Sequence, residues 1–449
     1  MWQFNRNIQC NSIYCNFENI EHIDIMICSI KSWRVTMLIQ FRFKNFKSFR
    51  DDTVLDFSAT EDAENENRIA KAGDERILTA ACIFGPNASG KSNVIKAFRY
   101  MMEYVTSSVV YSRDKVRGIN RLTPFLFDNK SKDAESLFEV FFSRETGRGC
   151  TIYNYGFSVS QSGVTEEWLN YKAASAKEYN SIFYRGKNEL DLSGIPEKRR
   201  ENIEISLEKE TLILSLGSFL KINRFKIVID WFIKNRITNF GDPRENEGLS
   251  HKAPAGFADN LDVQNQVKNY LAAFDSSIIG FDVEVLKSDD DGKQILNIKT
   301  KHKNLDGGTV LLPLSQESDG TLKMFALYQF IQDCIERGSV LLVDELNSRL
   351  HPLLVRNILI TFLNPEVNIN HAQIIFTSHD FWQLKNNVLR KDEIWFTDKD
   401  NDGVSTLYSL ADFKGVESES DYVENYMLGQ YGAIPSLKAL MHMEGKKHG

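Results

Sequence analysis

One stretch of the chain has the residue types and spacing of a phosphate-binding loop. Residues 85–92 read G-P-N-A-S-G-K-S and fit the pattern G-x-x-x-x-G-K-[ST]. Glycines let backbone N–H groups turn towards phosphate oxygens, Lys91 can reach the terminal phosphates, and the Ser92 hydroxyl can hold Mg²⁺. An apolar run at 80–84 precedes the loop, and a helical pattern from Asn93 follows it and adds a positive N-terminus. The sequence therefore predicts a nucleotide site at Gly85, Pro86, Asn87, Ala88, Ser89, Gly90, Lys91, Ser92 and Asn93.

A second candidate element is an apolar run that ends in two carboxylates. Residues 338–345 read G-S-V-L-L-V-D-E, without the alternation of a half-exposed strand. This pattern is typical of a central parallel strand covered on both faces. Asp344 is placed to hold Mg²⁺, and Glu345 to polarise the attacking water. The alternative is a strand followed by a solvated acidic turn, and the phosphate-binding loop makes that reading less favoured.

Two further segments supply candidate phosphate contacts. Residues 373–380 form another short run with an apolar core, and His379 stands near its end, where ligands bind at the carboxyl edge of open α/β sheets. His379 could donate a hydrogen bond to a γ-phosphate, although a lone histidine is more often a surface or core residue. Residues 314–323 precede an apolar helix, with Ser318 as its N-cap. This loop predicts a second anion-binding helix end, and an ordinary capped helix would give the same string.

The order of these motifs resembles that of ABC-type ATPases of the SMC/RecF branch. It is more closely similar to the single-chain AAA-family ATPases of the RloA-like or abortive-infection type. The resemblance runs from about residue 37 to about 435 and includes the turn 45–50, the P-loop 85–92, a signature loop 317–321, Walker B at 344–345, a D-loop-like stretch 346–352, His379, and the segments 393–410 and 431–435. The chain departs from the pattern at Asn347, where Asp is frequent, and at 122–128, which lacks the Q-loop glutamine.

The resemblance implies ATP and Mg²⁺ as cofactors and two nucleotides sandwiched between two heads. Ser318 and Gly320 of one subunit would then touch the γ-phosphate held by Lys91 of another. The implied partners are a second copy in a homodimer or higher homo-oligomer and a separate, nuclease-like effector, in prokaryotic defence against phage. Nucleic acid is compatible with this setting and is not required. The alternatives are a RecF-like DNA repair or recombination ATPase and a non-catalytic, nucleotide-dependent scaffold.

Composition favours a globular cytoplasmic protein. The chain has 449 residues, of which 42% are hydrophobic and 26% charged, and its net charge is -7. Its mean hydropathy of -0.33 and the lack of a spanning apolar run argue against a membrane protein. The acidic balance argues against broad coating of nucleic acid. The six cysteines show no zinc spacing and indicate a reducing compartment.

The predicted fold class is α/β, an ABC-type P-loop ATPase head with a mixed central sheet, a flanking antiparallel sheet and a helical insertion lobe. Residues 37–174 are assigned to an N-terminal ATPase lobe, 175–280 to a mainly helical insertion, and 281–449 to a C-terminal ATPase lobe. Residues 1–36 are interpreted as an N-terminal extension that need not be native, with Met37 as the natural start.

Local patterns predict the elements around the motifs. Strands are expected at 136–142, 151–159 and 164–171, and helix from about 196 to 240, within which the basic-apolar stretch 221–236 is interpreted as core rather than as a nucleic-acid surface. The insertion shows no sustained heptad and is read as a compact lobe. The acidic stretch 398–403 is interpreted as a hairpin turn, in preference to a metal-nuclease site.

Overall fold

The computed structural model describes residues 35–62, 64–114, 122–147, 149–242, 253–254, 256–272, 275–288, 294–416 and 421–435. By internal contacts the chain divides into two units, a larger one with residues 35–241 and those from 334 onwards, and a smaller one with residues 242–333. The extension expected at 1–36 lies outside the described residues apart from Val35 and Thr36. The domain boundaries expected from the sequence stay predictions.

Strands and helices are numbered here along the chain. The strands are β1 (Thr36–Lys44), β2 (Thr53–Asp56), β3 (Ala70–Ala72), β4 (Glu75–Ile77), β5 (Ala80–Phe84), β6 (Ser136–Thr146), β7 (Gly149–Ser160), β8 (Gly163–Ala173), β9 (Asn180–Arg185), β10 (Leu190–Asp191), β11 (Arg236–Asn239), β12 (Ile278–Ser288), β13 (Gln294–Lys303), β14 (Thr309–Pro313), β15 (Val340–Asp344), β16 (Gln373–Thr377), β17 (Ile394–Lys399) and β18 (Ser405–Ser409). The helices are α1 (Lys91–Asp114), α2 (Asn129–Asp133), α3 (Glu197–Ser206), α4 (Ile213–Phe219), α5 (Asn223–Lys234), α6 (Leu261–Leu271), α7 (Asp319–Arg337), α8 (Pro352–Leu363) and α9 (Tyr422–Met427).

The central sheet of the larger unit has the strand order β11-β15-β16-β5-β17-β18. Its first five strands run parallel, and β18 is antiparallel to β17. Every residue of β5, β15 and β16 is buried, as their uninterrupted apolar runs predicted. Because parallel strands end at the same edge, the segments that follow β5, β15 and β16 emerge together.

A second sheet of the larger unit is antiparallel, in the order β10-β9-β8-β7-β6-β1-β2. Aromatic side chains pack this sheet against α1 and α5. The Phe41 ring meets Phe98 of α1 edge-on with centroids 5.1 Å apart, and Phe142 stacks on Trp231 of α5 at 4.5 Å. All four side chains are buried, and each contributes roughly 1.5–3 kcal/mol by burial. This core fixes the position of α1, which begins at Lys91.

The smaller unit contains a three-stranded antiparallel sheet, β12-β13-β14, together with α6 and the first part of α7. Aromatic rings pack within this unit: Phe257 lies 5.0 Å from Phe281 and 5.4 Å from Phe325 between ring centroids, and Tyr270 lies 5.0 Å from Tyr328. The boundary towards the larger unit falls within α7, between Asp333 and Cys334.

The expected α/β class, mixed central sheet and flanking antiparallel sheet are confirmed. The core interpretation of 221–236 is also confirmed, since Phe225, Val228, Trp231 and Phe232 of α5 are buried. One local prediction is wrong: helix was expected up to about 240, but 236–239 form β11. This short segment pairs in parallel with β15, so long-range pairing decides its conformation. The expected hairpin around 398–403 is confirmed by β17 and β18.

Candidate nucleotide-binding site

The phosphate-binding loop connects β5 to α1 and has an unusual backbone. Gly85 and Gly90 have φ of 147° and 120°, and Ala88 adopts the left-handed region with φ of 65°. A Cβ at Gly85 would lie 2.3 Å from the carbonyl oxygen of Thr397. Glycine is therefore required at residue 85 both by its φ and by the close approach of β17.

Lys91 is buried at the start of α1, and its ammonium faces its own loop. Its Nζ donates hydrogen bonds to the carbonyl oxygens of Gly85 at 2.8 Å and Pro86 at 2.9 Å. Burial lowers the pKa of Lys91 to about 8, against the opposing effect of the Asp344 and Glu345 carboxylates. The loop thus holds a desolvated cation close to two anionic side chains.

Three oxygen-bearing side chains meet at the ends of β15 and β16. Ser92 Oγ donates to Asp344 Oδ1 at 3.0 Å, and Thr377 Oγ1 donates to the same oxygen at 2.6 Å. Asp344 is buried, and Ser92 is half-buried. A hydroxyl and a carboxylate are hard oxygen ligands of the kind that Mg²⁺ prefers, so Ser92 and Asp344 fit the predicted metal site.

Glu345 follows directly and has a constrained backbone. Its φ is 55°, in the left-handed region, which a non-glycine residue adopts at some cost. Its N–H donates to Thr377 Oγ1 at 2.8 Å, so one threonine hydroxyl bridges both carboxylate residues. The side chain of Glu345 is half-buried. Glu345 is thus held at the edge of the sheet, where its carboxylate acts to raise the pKa of Lys91.

His379 lies beyond the end of β16, where the sequence predicted it. Its backbone N–H donates to Asn347 Oδ1 at 3.3 Å, which connects the D-loop-like stretch to this turn. Partial burial of the imidazole and the nearby Lys91 lower its pKa below the ordinary 6.5, against the opposing carboxylates of Glu345 and Asp344. A neutral imidazole can still donate one hydrogen bond to an anionic oxygen.

A group of hydroxyls surrounds Ser89 of the loop, and three of its members, Ser48, Thr397 and Ser405, were not predicted as site residues. We call Ser48, Ser89, Thr397 and Ser405 the hydroxyl cluster. Ser405 Oγ donates to the carbonyl oxygen of Ser89 at 2.6 Å and lies 2.8 Å from Ser48 Oγ, and Ser89 Oγ lies 2.6 Å from Thr397 Oγ1. Asn93 Nδ2 also donates to Ser48 Oγ, at 2.8 Å. The β17–β18 hairpin thereby fixes the loop from outside.

The remaining predicted residues, Ser318 and Gly320, belong to the smaller unit. Ser318 is the N-cap expected for α7, since its Oγ accepts the N–H of Thr321 at 3.1 Å. Glu317, just before it, accepts a hydrogen bond from Thr300 Oγ1 and lies 2.8 Å from Nε2 of His302. The signature loop is thus tied to β13 within its own unit.

The larger unit therefore brings together the loop 85–93, Asp344, Glu345 and His379. Of the residues that were not predicted, Thr377 carried a usable signal, because its hydroxyl stands at the end of an apolar strand beside the expected histidine. The fold and this arrangement define a P-loop nucleotide-binding protein of the α/β class.

A family model described as "AAA domain, putative AbiEii toxin, Type IV TA system" matches residues 80–381, more than half of the chain. The chain belongs to this AAA family. The match confirms the resemblance to AAA-family ATPases of the abortive-infection type. A search of curated proteins found no match.

Solved structures that match this chain include SMC heads and RecF. One is an Smc head bound to the C-winged helix domain of ScpA (TM-score 0.39, 14% identity, covering 83% of this chain and 97% of that chain). The second is an Smc head with a coiled coil and joint derived from Pyrococcus yayanosii (TM-score 0.41, 11% identity, covering 88% of this chain and 99% of that chain). The third is the recombination mediator protein RecF with ATP (TM-score 0.37, 14% identity, covering 85% of this chain and 100% of that chain). Within the described part of the chain, none of the helices combines the length and apolarity needed to cross a bilayer.

Proposed function

We propose that this protein binds and hydrolyses ATP with Mg²⁺, and that its nucleotide state gates the association of two heads. The proposal rests on one observation: Lys91, Ser92, Asp344 and Glu345 converge at one edge of the central sheet. A phosphate-binding loop, oxygen ligands for a cation and a carboxylate for the attacking water are the parts that phosphoryl transfer to water requires.

Each side chain has a separate task in this scheme. The Lys91 ammonium binds terminal phosphate oxygens, and Ser92 and Asp344 hold the cation. Bound Mg²⁺ neutralises part of the phosphate charge. Glu345 orients the water and takes its proton, and His379 donates a hydrogen bond to the γ-phosphate.

Association of heads extends the site by a second copy of the chain. Following the resemblance, Ser318 and Gly320 of one subunit contact the γ-phosphate bound to Lys91 of the other. The N-terminal end of α7, capped by Ser318, suits an anion because its backbone N–H groups and helix dipole favour negative charge. Hydrolysis in this scheme separates the heads.

The proposed biological role is control of a separate, nuclease-like effector in prokaryotic defence against phage. The family description names a putative AbiEii toxin and a Type IV TA system, which supports a role in a two-component system. The proposed location is the cytoplasm.

The first experiment measures mass by light scattering and phosphate release for the wild type and Glu345→Gln. With ATP-Mg²⁺, the particle mass of the wild type should increase and phosphate should be released. The variant should show the same increase in particle mass but release almost no phosphate. A mass that nucleotide leaves unchanged would overturn gated association. Stimulation of ATP hydrolysis by DNA ends or gaps would favour a RecF-like repair ATPase. If the Glu345→Gln variant still controls its partner, a scaffold in which ATP binding alone suffices would be favoured.

A further inference from the structure

The backbone that follows β11 lies against the end of β15. Asn239 is in register with Asp344, and the N–H of Phe240 donates to the carbonyl oxygen of Asp344 at 2.9 Å. The next residue, Gly241, donates its N–H to Asn239 Oδ1 at 2.8 Å. The short turn 239–241 is therefore tied to the strand that carries the two carboxylates.

Gly241 lies directly beside the carboxylate of Glu345. A Cβ at residue 241 would lie 2.4 Å from Oε2, 2.7 Å from Cδ and 3.1 Å from Oε1 of Glu345. The three nearest atoms thus all belong to that carboxylate. The two distances below 3 Å are closer than real Cβ contacts allow, so any side chain at 241 would displace the Glu345 carboxylate.

The backbone does not require glycine at this position. Gly241 is absent from the described residues with positive φ, so alanine can adopt its conformation. What glycine provides at residue 241 is space. Glu345, by contrast, has a backbone fixed by its hydrogen bond to Thr377, so its side chain is the part that must move.

We propose that Gly241 is a positioning residue that sets where the Glu345 carboxylate lies during hydrolysis. The inference rests on the proposed function, since it concerns the carboxylate that activates water. Gly241 is also the last residue of the larger unit before the chain enters the smaller unit at Asp242.

The test is Gly241→Ala, with Gly280→Ala as the matched control. An added Cβ at Gly280 meets only Lys301 Cδ, at an ordinary 3.6 Å. Gly241→Ala should lower kcat by roughly a hundredfold, because a catalytic group displaced by about 1 Å has an effect of that size. The KM for ATP should stay within about twofold of the wild-type value. The melting temperature and the ATP-dependent increase in particle mass should equal those of the wild type. The Gly280 control should hydrolyse ATP as the wild type does.

A double variant shows whether the effect passes through the carboxylate. Gly241→Ala added to Glu345→Gln should slow hydrolysis no further than Glu345→Gln alone. A further proportional loss, an unchanged kcat in the single variant, or a loss of ATP binding with an intact kcat would overturn the positioning role. Wild-type hydrolysis by Glu345→Gln itself would instead overturn the proposed function, so the two failures are distinguishable.

Discussion

Replacing Thr377 by Val tests whether one buried hydroxyl organises both carboxylate residues. The Thr377 hydroxyl donates to Asp344 Oδ1 at 2.6 Å and accepts the N–H of Glu345 at 2.8 Å. Thr377 is fully buried, and a valine side chain has nearly the same shape as threonine. The substitution therefore removes two hydrogen bonds and leaves the packing almost unchanged.

The expected magnitude follows from these two bonds. A hydrogen bond to a charged group contributes about 1.5–3 kcal/mol, and one between neutral groups about 0.5–1.5 kcal/mol. Thr377→Val should thus lower the free energy of unfolding by about 2–4.5 kcal/mol. Since Asp344 also loses a partner that orients it, Mg²⁺-dependent hydrolysis should fall about tenfold or more, because a factor of ten corresponds to about 1.4 kcal/mol.

The matched control is Thr238→Val on the neighbouring strand β11. Thr238 is 2% exposed, and its hydroxyl has no hydrogen-bond partner among the described residues. Denaturant unfolding and a magnesium titration of phosphate release compare the two variants. Thr238→Val should be as stable as the wild type or more so, and equally active. If the two variants behave alike, the reasoning about the bridging hydroxyl is refuted.

Three other predictions concern the loop and the core. Because burial lowers the pKa of Lys91 to about 8, kcat/KM for ATP should fall as the pH rises through about 8, and a profile flat from pH 7 to 9 would contradict this. Burial raises the pKa of Glu167 from 4.5 to about 7, so its contribution to stability is complete below pH 4.5 and is lost as the pH rises through about 7. Thermal unfolding should show Glu167→Gln gaining up to about 3 kcal/mol relative to the wild type between pH 4.5 and 8, and a constant difference would exclude this cause. Ser405→Ala removes the hydroxyl that donates to the Ser89 carbonyl oxygen. Calorimetry should show ATP binding about tenfold weaker than in the wild type. An unchanged affinity would show that the loop keeps its shape without this contact from the hairpin.

Much of the fold was predictable because its signals are local. The buried runs that became β5, β15 and β16 gave the central sheet, and the glycines and Lys91 gave the loop between β5 and α1. The rule that parallel strands end at one edge then placed the segments after them side by side. The roles assigned to the individual site residues stay predictions.

The rest was not predictable because it depends on contacts between distant segments. The segment 236–239 was predicted as helix because it continues a helical pattern and is too short to show a strand period by itself, whereas its pairing with β15 makes it a strand. The contact of Gly241 with Glu345 likewise arises only when two strands far apart in sequence lie in register. Small hydroxyl residues such as Ser405 and Thr397 are common in hairpins, so nothing in their local sequence marked them as neighbours of the loop.

The hydroxyl cluster has a consequence for the order in which the site is made. Thr397 lies 308 residues after Ser89, and Ser405 lies 316 residues after it. At about 5–20 residues per second, the ribosome needs on the order of 15–60 s to synthesise that interval. During this time the growing chain has the loop sequence without the hairpin that shapes it. A chain that stops before residue 397 therefore contains the loop motif but lacks the hairpin residues that contact Ser89.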